Sequence, residues 1–196
     1  MKKAIGIIYD EHRSIAAVLS GLKALAQLAR DPALRPEFEV LRAMIYYIDA
    51  FPERMHHPKE DEHLFARLLQ RQPDARPLVN DLQDEHRKGA KLVRDLEQSL
   101  LAFEQMWPAG AERFAAAVEA YAQFHWSHMR REERELLPLA EQWLQAEDWR
   151  AIEEAFAGNQ DPIADLRERD FQGLFSRIAS LAPAPVGLGE PWKSSV

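Results

Sequence analysis

The fold is decided by residues 124–138, which read FHWSHMRREERELLP. In this stretch His128 stands four positions before Glu132. On a helix, residues four apart lie on the same face, about 6 Å apart along the axis. An imidazole and a carboxylate can therefore reach into one shared pocket.

A second copy of this pattern lies upstream, at residues 56–65, which read HHPKEDEHLF. The two copies align on their acidic pairs and on the Leu-Leu or Leu-Phe that follows. In this alignment His56 corresponds to His128, and Glu60 corresponds to Glu132. A repeated His-x-x-x-Glu pattern indicates two helices that contribute similar groups to one site.

The upstream copy also allows a second register. His57 and Asp61 form a His-x-x-x-Asp pair one residue out of phase with His56 and Glu60. The apolar stripe of this helix and the apolar pair at residues 64–65 favour His56 and Glu60. His57 and Asp61 remain possible ligands.

The composition indicates a globular protein of one domain with an appendage. The chain has 196 residues, of which 46% are hydrophobic and 29% are charged, as is usual for soluble domains. The formal net charge of −7 argues against nucleic acid or an anionic membrane as a partner. Because the chain has no cysteine, disulfides, thiolate catalysis, iron–sulfur clusters and cysteine-based zinc sites are excluded.

No segment reads as a targeting or membrane-spanning element. The apolar run that follows Lys2 and Lys3 stops at residues 9–11, which is too short for the core of a signal peptide. No run approaches the roughly 20 apolar residues of a membrane span. We therefore expect a cytoplasmic protein.

Apolar residues recur at spacings of three and four over four long segments, which predicts four helices. Pro52 and Pro58 lie within the second and should bend or split it. Short connections favour antiparallel neighbours, so the sequence predicts an all-α, up-down-up-down four-helix bundle. The predicted helices cover approximately residues 5–29, 37–71, 76–106 and 110–145.

The residues after the bundle are predicted to form an addition to it. We divide the chain into a bundle domain (1–145), a helical extension packed on the bundle (146–182) and an irregular tail (183–196). Asp148 is expected to cap a short helix that ends at residues 158–159. Asp161 and Pro162 are expected to start another helix, whose apolar face includes Phe171, Leu174, Phe175 and Ile178.

Each of the four helices carries a histidine, or a His-x-x-x-Glu pair, on its core-facing stripe. A buried ionised carboxylate is costly unless it is paired, and a bound cation removes that cost. Nitrogen and oxygen donors without sulfur suit Fe, Mn or Zn, and six ligands favour two divalent ions over one tetrahedral zinc. The predicted metal ligands are His12, His56, Glu60, His86, His128 and Glu132.

Each of these residues also has a simpler interpretation. A single histidine on an apolar stripe is usually a core residue, and a surface His-x-x-x-Glu is commonly only a side-chain pair. Four helices that share the pattern favour the metal site. His125, one turn before His128, stays open as a fifth imidazole, a hydrogen-bond partner of a ligand, or a proton carrier. Glu133, Glu62 and His63 are expected to be solvated or to contact ligands.

At these residues the chain resembles the hemerythrin-like, HHE cation-binding family. The resemblance covers about residues 5–145. The matching segments are residues 10–12 (DEH), 56–62 (HHPKEDE), 84–86 (DEH) and 128–133 (HMRREE).

The resemblance implies a four-helix bundle that holds a non-haem di-iron centre with bridging oxo or hydroxo groups. It further implies that Glu60 and Glu132 are the bridging carboxylates. The four histidines at positions 12, 56, 86 and 128 would then be terminal ligands.

The chain departs from oxygen-carrying hemerythrins at the third helix, where those proteins have a second histidine and this chain has Ala90. A coordination position left vacant by the missing histidine would favour reactivity with O2, peroxide or nitric oxide over simple oxygen carriage. The leading hypothesis is a protein that binds or senses O2, NO or peroxide. The alternatives are an oxidoreductase that consumes peroxide or nitric oxide, an iron-donating repair protein, and a metal store or interaction module that is possibly a homodimer.

Overall fold

The structure is a computed structural model that describes residues 2–157, 178 and 180–193. Within these residues there is no β-strand, and helices account for most of the chain. The all-α prediction is confirmed. The α-helices are α1 (Lys3–Leu28), α2 (Phe38–Ile48), α3 (His57–Lys59), α4 (Ala66–Arg71), α5 (Arg76–Met106), α6 (Ala111–Arg131), α7 (Leu137–Trp143) and α8 (Ala146–Ala157).

Two of the four bundle helices contain π-helical segments. The second bundle helix runs without a break over residues 38–71 and includes π segments at Asp49–His56 and Glu60–Phe65. The fourth runs over residues 111–143 and includes one at Glu132–Leu136. π segments in longer helices frequently occur at functional sites. Here each one begins or ends at a predicted ligand.

The two prolines of the second bundle helix do not split it. Pro52 lies inside the first π segment, and Pro58 lies between the two π segments. Proline removes a backbone donor and crowds the preceding turn of an α-helix. A wider turn with i→i+5 hydrogen bonds relieves this crowding, so the helix continues through both prolines.

Side-chain pairs show that neighbouring bundle helices run antiparallel. Between the first and fourth bundle helices, Lys23 pairs with Glu119 and Arg30, further along, pairs with the earlier Glu112. The same reversal holds between the second and third bundle helices, where Arg42 contacts Glu104 and the later Asp61 contacts the earlier His86. Together with the short connections, these contacts establish the predicted up-down-up-down order.

The apolar core consists of two clusters. The larger contains Leu19, Met44, Phe103, Phe114 and Tyr121, among others. The smaller lies toward the other end of the bundle and includes Ile8, Leu64, Leu82, Leu136 and Trp149. The predicted ligands occur between these two sets along each bundle helix, so a polar layer separates the clusters.

Helix α8 packs against the smaller cluster through Trp149, Ile152 and Phe156. It begins two residues before Asp148, which therefore lies inside the first turn and does not precede the helix as predicted. From there the Asp148 carboxylate still accepts a hydrogen bond from the Gln145 backbone N–H at 2.8 Å. It also pairs with Arg71 at 2.7 Å.

Part of the predicted extension lies outside the described residues. This holds for the helix end at 158–159, for the start at Asp161 and Pro162, and for Phe171, Leu174 and Phe175. Ile178 is helical and buried. Residues 183–193 form turns around an isolated bridge between Pro183 and Gly189, and Trp192 packs in the larger cluster. No helix in the described part of the chain is long and apolar enough to cross a membrane.

Candidate metal centre

All six predicted ligands lie together in the polar layer between the two apolar clusters. They come from four different helices, and each is at least nine-tenths buried. Their exposed fractions are 2% for His12, 1% for His56, 0% for Glu60, 6% for His86, 1% for His128 and 0% for Glu132.

The first half of this site consists of His12, His56, Glu60 and Glu132, whose donor atoms all lie within 4.8 Å of one another. The Nε2 atoms of His12 and His56 are 3.1 Å apart. His12 Nε2 lies 3.4 Å from Glu132 Oε2, and His56 Nε2 lies 3.4 Å from Glu60 Oε2. Two imidazoles and two carboxylates therefore converge on one point.

The second half consists of His86, His128 and the same two carboxylates, again within 4.8 Å of one another. His86 Nε2 lies 3.6 Å from Glu60 Oε2 and 3.5 Å from Glu132 Oε1. His128 Nε2 lies 3.3 Å from Glu132 Oε1. Glu60 and Glu132 thus belong to both halves of the site.

The chemistry of the donor atoms fits divalent cations. Both carboxylate oxygens of Glu60 and of Glu132 are buried without a hydrogen-bond partner, and so are the Nε2 atoms of His86 and His128. Buried polar groups normally have partners, and orphaned ones carry a cost of about 1–3 kcal/mol each. A cation that is ligated by these nitrogen and oxygen atoms would supply the partner for all of them.

Outside the inner site, each of the four histidines contacts a carboxylate through its other ring nitrogen. Glu11 on the first bundle helix lies 2.8 Å from His56 Nδ1, and Asp61 on the second lies 3.0 Å from His86 Nδ1. In both cases the acidic residue is next in sequence to one predicted ligand and contacts the histidine of the following helix.

The remaining two contacts close this arrangement into a ring, which we call the outer carboxylate ring. Glu85 on the third bundle helix lies 2.9 Å from His128 Nδ1, and Glu133 on the fourth lies 3.0 Å from His12 Nδ1. A carboxylate at Nδ1 favours the tautomer with its proton there, which directs the Nε2 lone pair inward. The outer carboxylate ring therefore prepares all four imidazoles to bind a cation.

The two shared carboxylates differ in their affinity for protons. Burial and the neighbouring charge of Glu132 raise the pKa of Glu60 well above its usual value. Burial also acts to raise the pKa of Glu132, but the His128, His12 and His86 imidazoles outweigh it and lower that pKa well below its usual value. In the absence of a cation, Glu60 therefore binds a proton more readily than Glu132 does.

The structure also places the residues whose roles the sequence leaves open. Asp61 and Glu133 belong to the outer carboxylate ring, whereas Glu62 is exposed. In the described part of the chain, His125 and His63 belong to no group of potential ligands. The His125 Nε2 atom instead lies 3.1 Å from Glu53 Oε1. His57 forms a third group with His86 and His128.

Three functional candidates were not assigned roles from the sequence: Glu11, Glu85 and Glu53. Glu11 and Glu85 each stand one residue before a predicted ligand, as Asp61 and Glu133 stand one residue after. An acidic residue beside one ligand on each bundle helix was therefore an available signal. Glu53 stands four residues before His57, and this Glu-x-x-x-His spacing was also visible.

Comparison with known families agrees with this geometry. The family model described as the hemerythrin HHE cation binding domain matches residues 3–140. This span contains all six predicted ligands and the whole outer carboxylate ring. No curated protein sequence matches the chain closely enough to add a named relative.

Proposed function

This chain belongs to the hemerythrin HHE cation-binding domain family, and on that premise we propose that it holds two iron ions and binds O2 or a related small ligand beside them. The single observation that carries the proposal is the sharing of Glu60 and Glu132 by two groups of ligands. Two groups that share two carboxylates correspond to two cation positions side by side.

The proposal assigns each ligand to an ion. His12 and His56 bind one ion, and His86 and His128 bind the other. Glu60 and Glu132 bridge the two, because each has oxygens near histidines of both groups. Imidazole and carboxylate donors suit iron, with manganese and zinc as competitors that a measurement must separate.

The rest of the polar layer supports this assignment. Bound iron would supply open coordination positions and the electrons for reaction with a small ligand. The outer carboxylate ring orients the four imidazoles, and its negative charge offsets the charge of the cations. The apolar clusters on both sides exclude bulk water, which strengthens every electrostatic contact within the layer.

The direct test is metal analysis of protein produced with iron and purified without oxygen. We expect about two iron ions per chain from the two groups of ligands. An absorption band should appear on exposure to air, since iron that is open to O2 changes its charge-transfer spectrum. Addition of NO to the reduced protein should give a separate spectrum.

Paired variants make this test specific. Glu60→Ala should lose both ions, because it removes a ligand from each group, whereas Glu62→Ala two residues away should keep both. Protein that contains no iron, or iron that is unchanged in Glu60→Ala, would refute the proposal. Two ions with no response to O2 or NO would refute ligand binding and leave a metal store.

A further inference from the structure

His57 is a buried histidine that the six-ligand site does not use. It is 4% exposed, and one of its ring nitrogens lies within 4.8 Å of ligand atoms of both His86 and His128. Its ring stacks on His86 with centroids 4.2 Å apart and an angle of 12° between planes. It meets His128 edge to face at 5.3 Å.

Adjacent residues of the second bundle helix therefore serve different halves of the site. His56 lies in the group with His12, whereas His57 lies with His86 and His128. The first π segment ends at His56. Because a π turn contains more residues than an α turn, successive side chains are rotated by less, and both imidazoles can face inward.

Glu53 places a carboxylate beside His57, but at a longer distance than in the outer carboxylate ring and without a hydrogen bond to Nδ1. Its Oε2 lies 3.4 Å from His57 Nδ1, and its Oε1 accepts a hydrogen bond from the Tyr121 hydroxyl at 3.0 Å. The Glu53 side chain is 4% exposed. A carboxylate on one nitrogen of His57 leaves the other nitrogen available to a cation.

The third bundle helix leaves room for this carboxylate. At Gly89 an added Cβ would lie 2.9 Å from Glu53 Oε1, closer than real Cβ atoms come. His125 also approaches Glu53, at 3.1 Å from Oε1. The Glu53 side chain is thus held by Tyr121 and His125 of the fourth bundle helix, and Gly89 of the third leaves space beside it.

We propose that His57 is a fifth imidazole ligand, bound to the ion of His86 and His128. The inference rests on the proposed function. It makes the two cation positions unequal, with three imidazoles on one ion and two on the other.

The test is titration of metal-free protein with Co²⁺, whose visible absorption reports coordination number. Wild-type protein should bind two ions with different spectra. His57→Ala should weaken one ion by about tenfold or more, by analogy with the 10–100-fold losses seen when a ligand's partner is removed. The matched control is His63→Ala, a half-buried histidine on the same helix outside the groups of ligands.

The outcomes separate this inference from the function on which it rests. If the wild type binds two ions, and His57→Ala binds both with the same affinities and spectra as the wild type, the role of His57 is overturned. The six-ligand site would still stand. Binding of no ion by the wild type would overturn both. If helical circular dichroism shows that His57→Ala does not fold, Glu53→Gln replaces it, and an unchanged second ion in that variant would overturn the inference.

Discussion

The Nδ1 atom of His12 lies 3.0 Å from the Oε1 atom of Glu133, and this contact joins the first bundle helix to the fourth. It closes the outer carboxylate ring, in which each helix supplies the carboxylate for the histidine of the next. The closed ring gives each of the four inner imidazoles a carboxylate partner. The orientation of each ligand therefore depends on the packing of two neighbouring helices.

Glu133→Gln should weaken metal binding by roughly 10–100-fold. The amide can no longer stabilise the proton on His12 Nδ1 by charge, so the ring loses part of its orientation and basicity. Competition against a chelator of known affinity measures the change. Glu135→Gln, at an exposed position on the same helix, is the control, and equal affinities in the two variants would contradict this role.

Glu60→Met should abolish metal binding and yet stabilise the metal-free protein by about 1–3 kcal/mol. Both oxygens of Glu60 are buried without partners, so the metal-free fold carries a cost that an apolar side chain of similar length removes. Urea denaturation in the presence of a chelator measures the difference. Glu62→Met, at an exposed position, should change stability by less than about 0.5 kcal/mol. A Glu60→Met protein that is less stable than the wild type would contradict a cost of burying Glu60 without a cation.

Much of this site followed from the sequence, for identifiable reasons. Helical periodicity located the bundle helices to within two residues, because apolar stripes with a period of 3.6 are hard to produce otherwise. The His-x-x-x-Glu spacing pointed to Glu60 and Glu132, since residues four apart are separated by slightly more than one helical turn. These are local relations, and local relations are visible in a single chain.

Two features could not be predicted in the same way. The outer carboxylate ring links residues such as Glu11 and His56, which are distant in sequence, so the partners depend on the order of the helices. The place of His57 in the site is not predicted by an α-helical period over residues 49–65. The two π segments there change which side chains share a face, and no sequence rule located them.

Metal affinity should rise with pH between 7 and about 9. Burial acts to lower the pKa of His12, but Glu132 and Glu133 outweigh it and raise that pKa to about 9. His86 is likewise raised to about 9, because Asp61 and Glu132 outweigh burial. Both imidazoles therefore carry protons at pH 7, and a cation must displace them.

Proton release is the measurement that checks this. Addition of Zn²⁺ to metal-free protein in weak buffer at pH 7 should release about two protons from these imidazoles, and fewer near pH 9. The stability of the metal-free protein should instead fall as the pH rises. A raised pKa contributes stability that is complete below about 6.5 and is lost as the pH rises through 9. A metal affinity that does not change with pH would contradict the protonation of these two imidazoles.

Asp148→Ala should destabilise the protein by about 0.5–2 kcal/mol without an effect on metal binding. The variant removes the acceptor for the Gln145 backbone N–H and the partner of Arg71, both at the start of α8. Thermal unfolding of the metal-loaded protein measures the loss. Glu147→Ala is the control, because Glu147 is exposed and contacts Arg71 only from solvent. Equal losses in both variants would show that the contacts of Asp148 with Gln145 and Arg71 contribute nothing.

The polar layer has a consequence for the molecule as a whole. It interrupts what would otherwise be a continuous apolar core. The two ends of the bundle therefore contact each other through polar and charged groups and not through apolar side chains. Cations bound in that layer would connect the two separately packed ends through their shared ligands. Without cations, the ends would be joined by the four helical backbones and by the polar contacts of the layer, so the metal content of the protein would affect how firmly its two ends hold together.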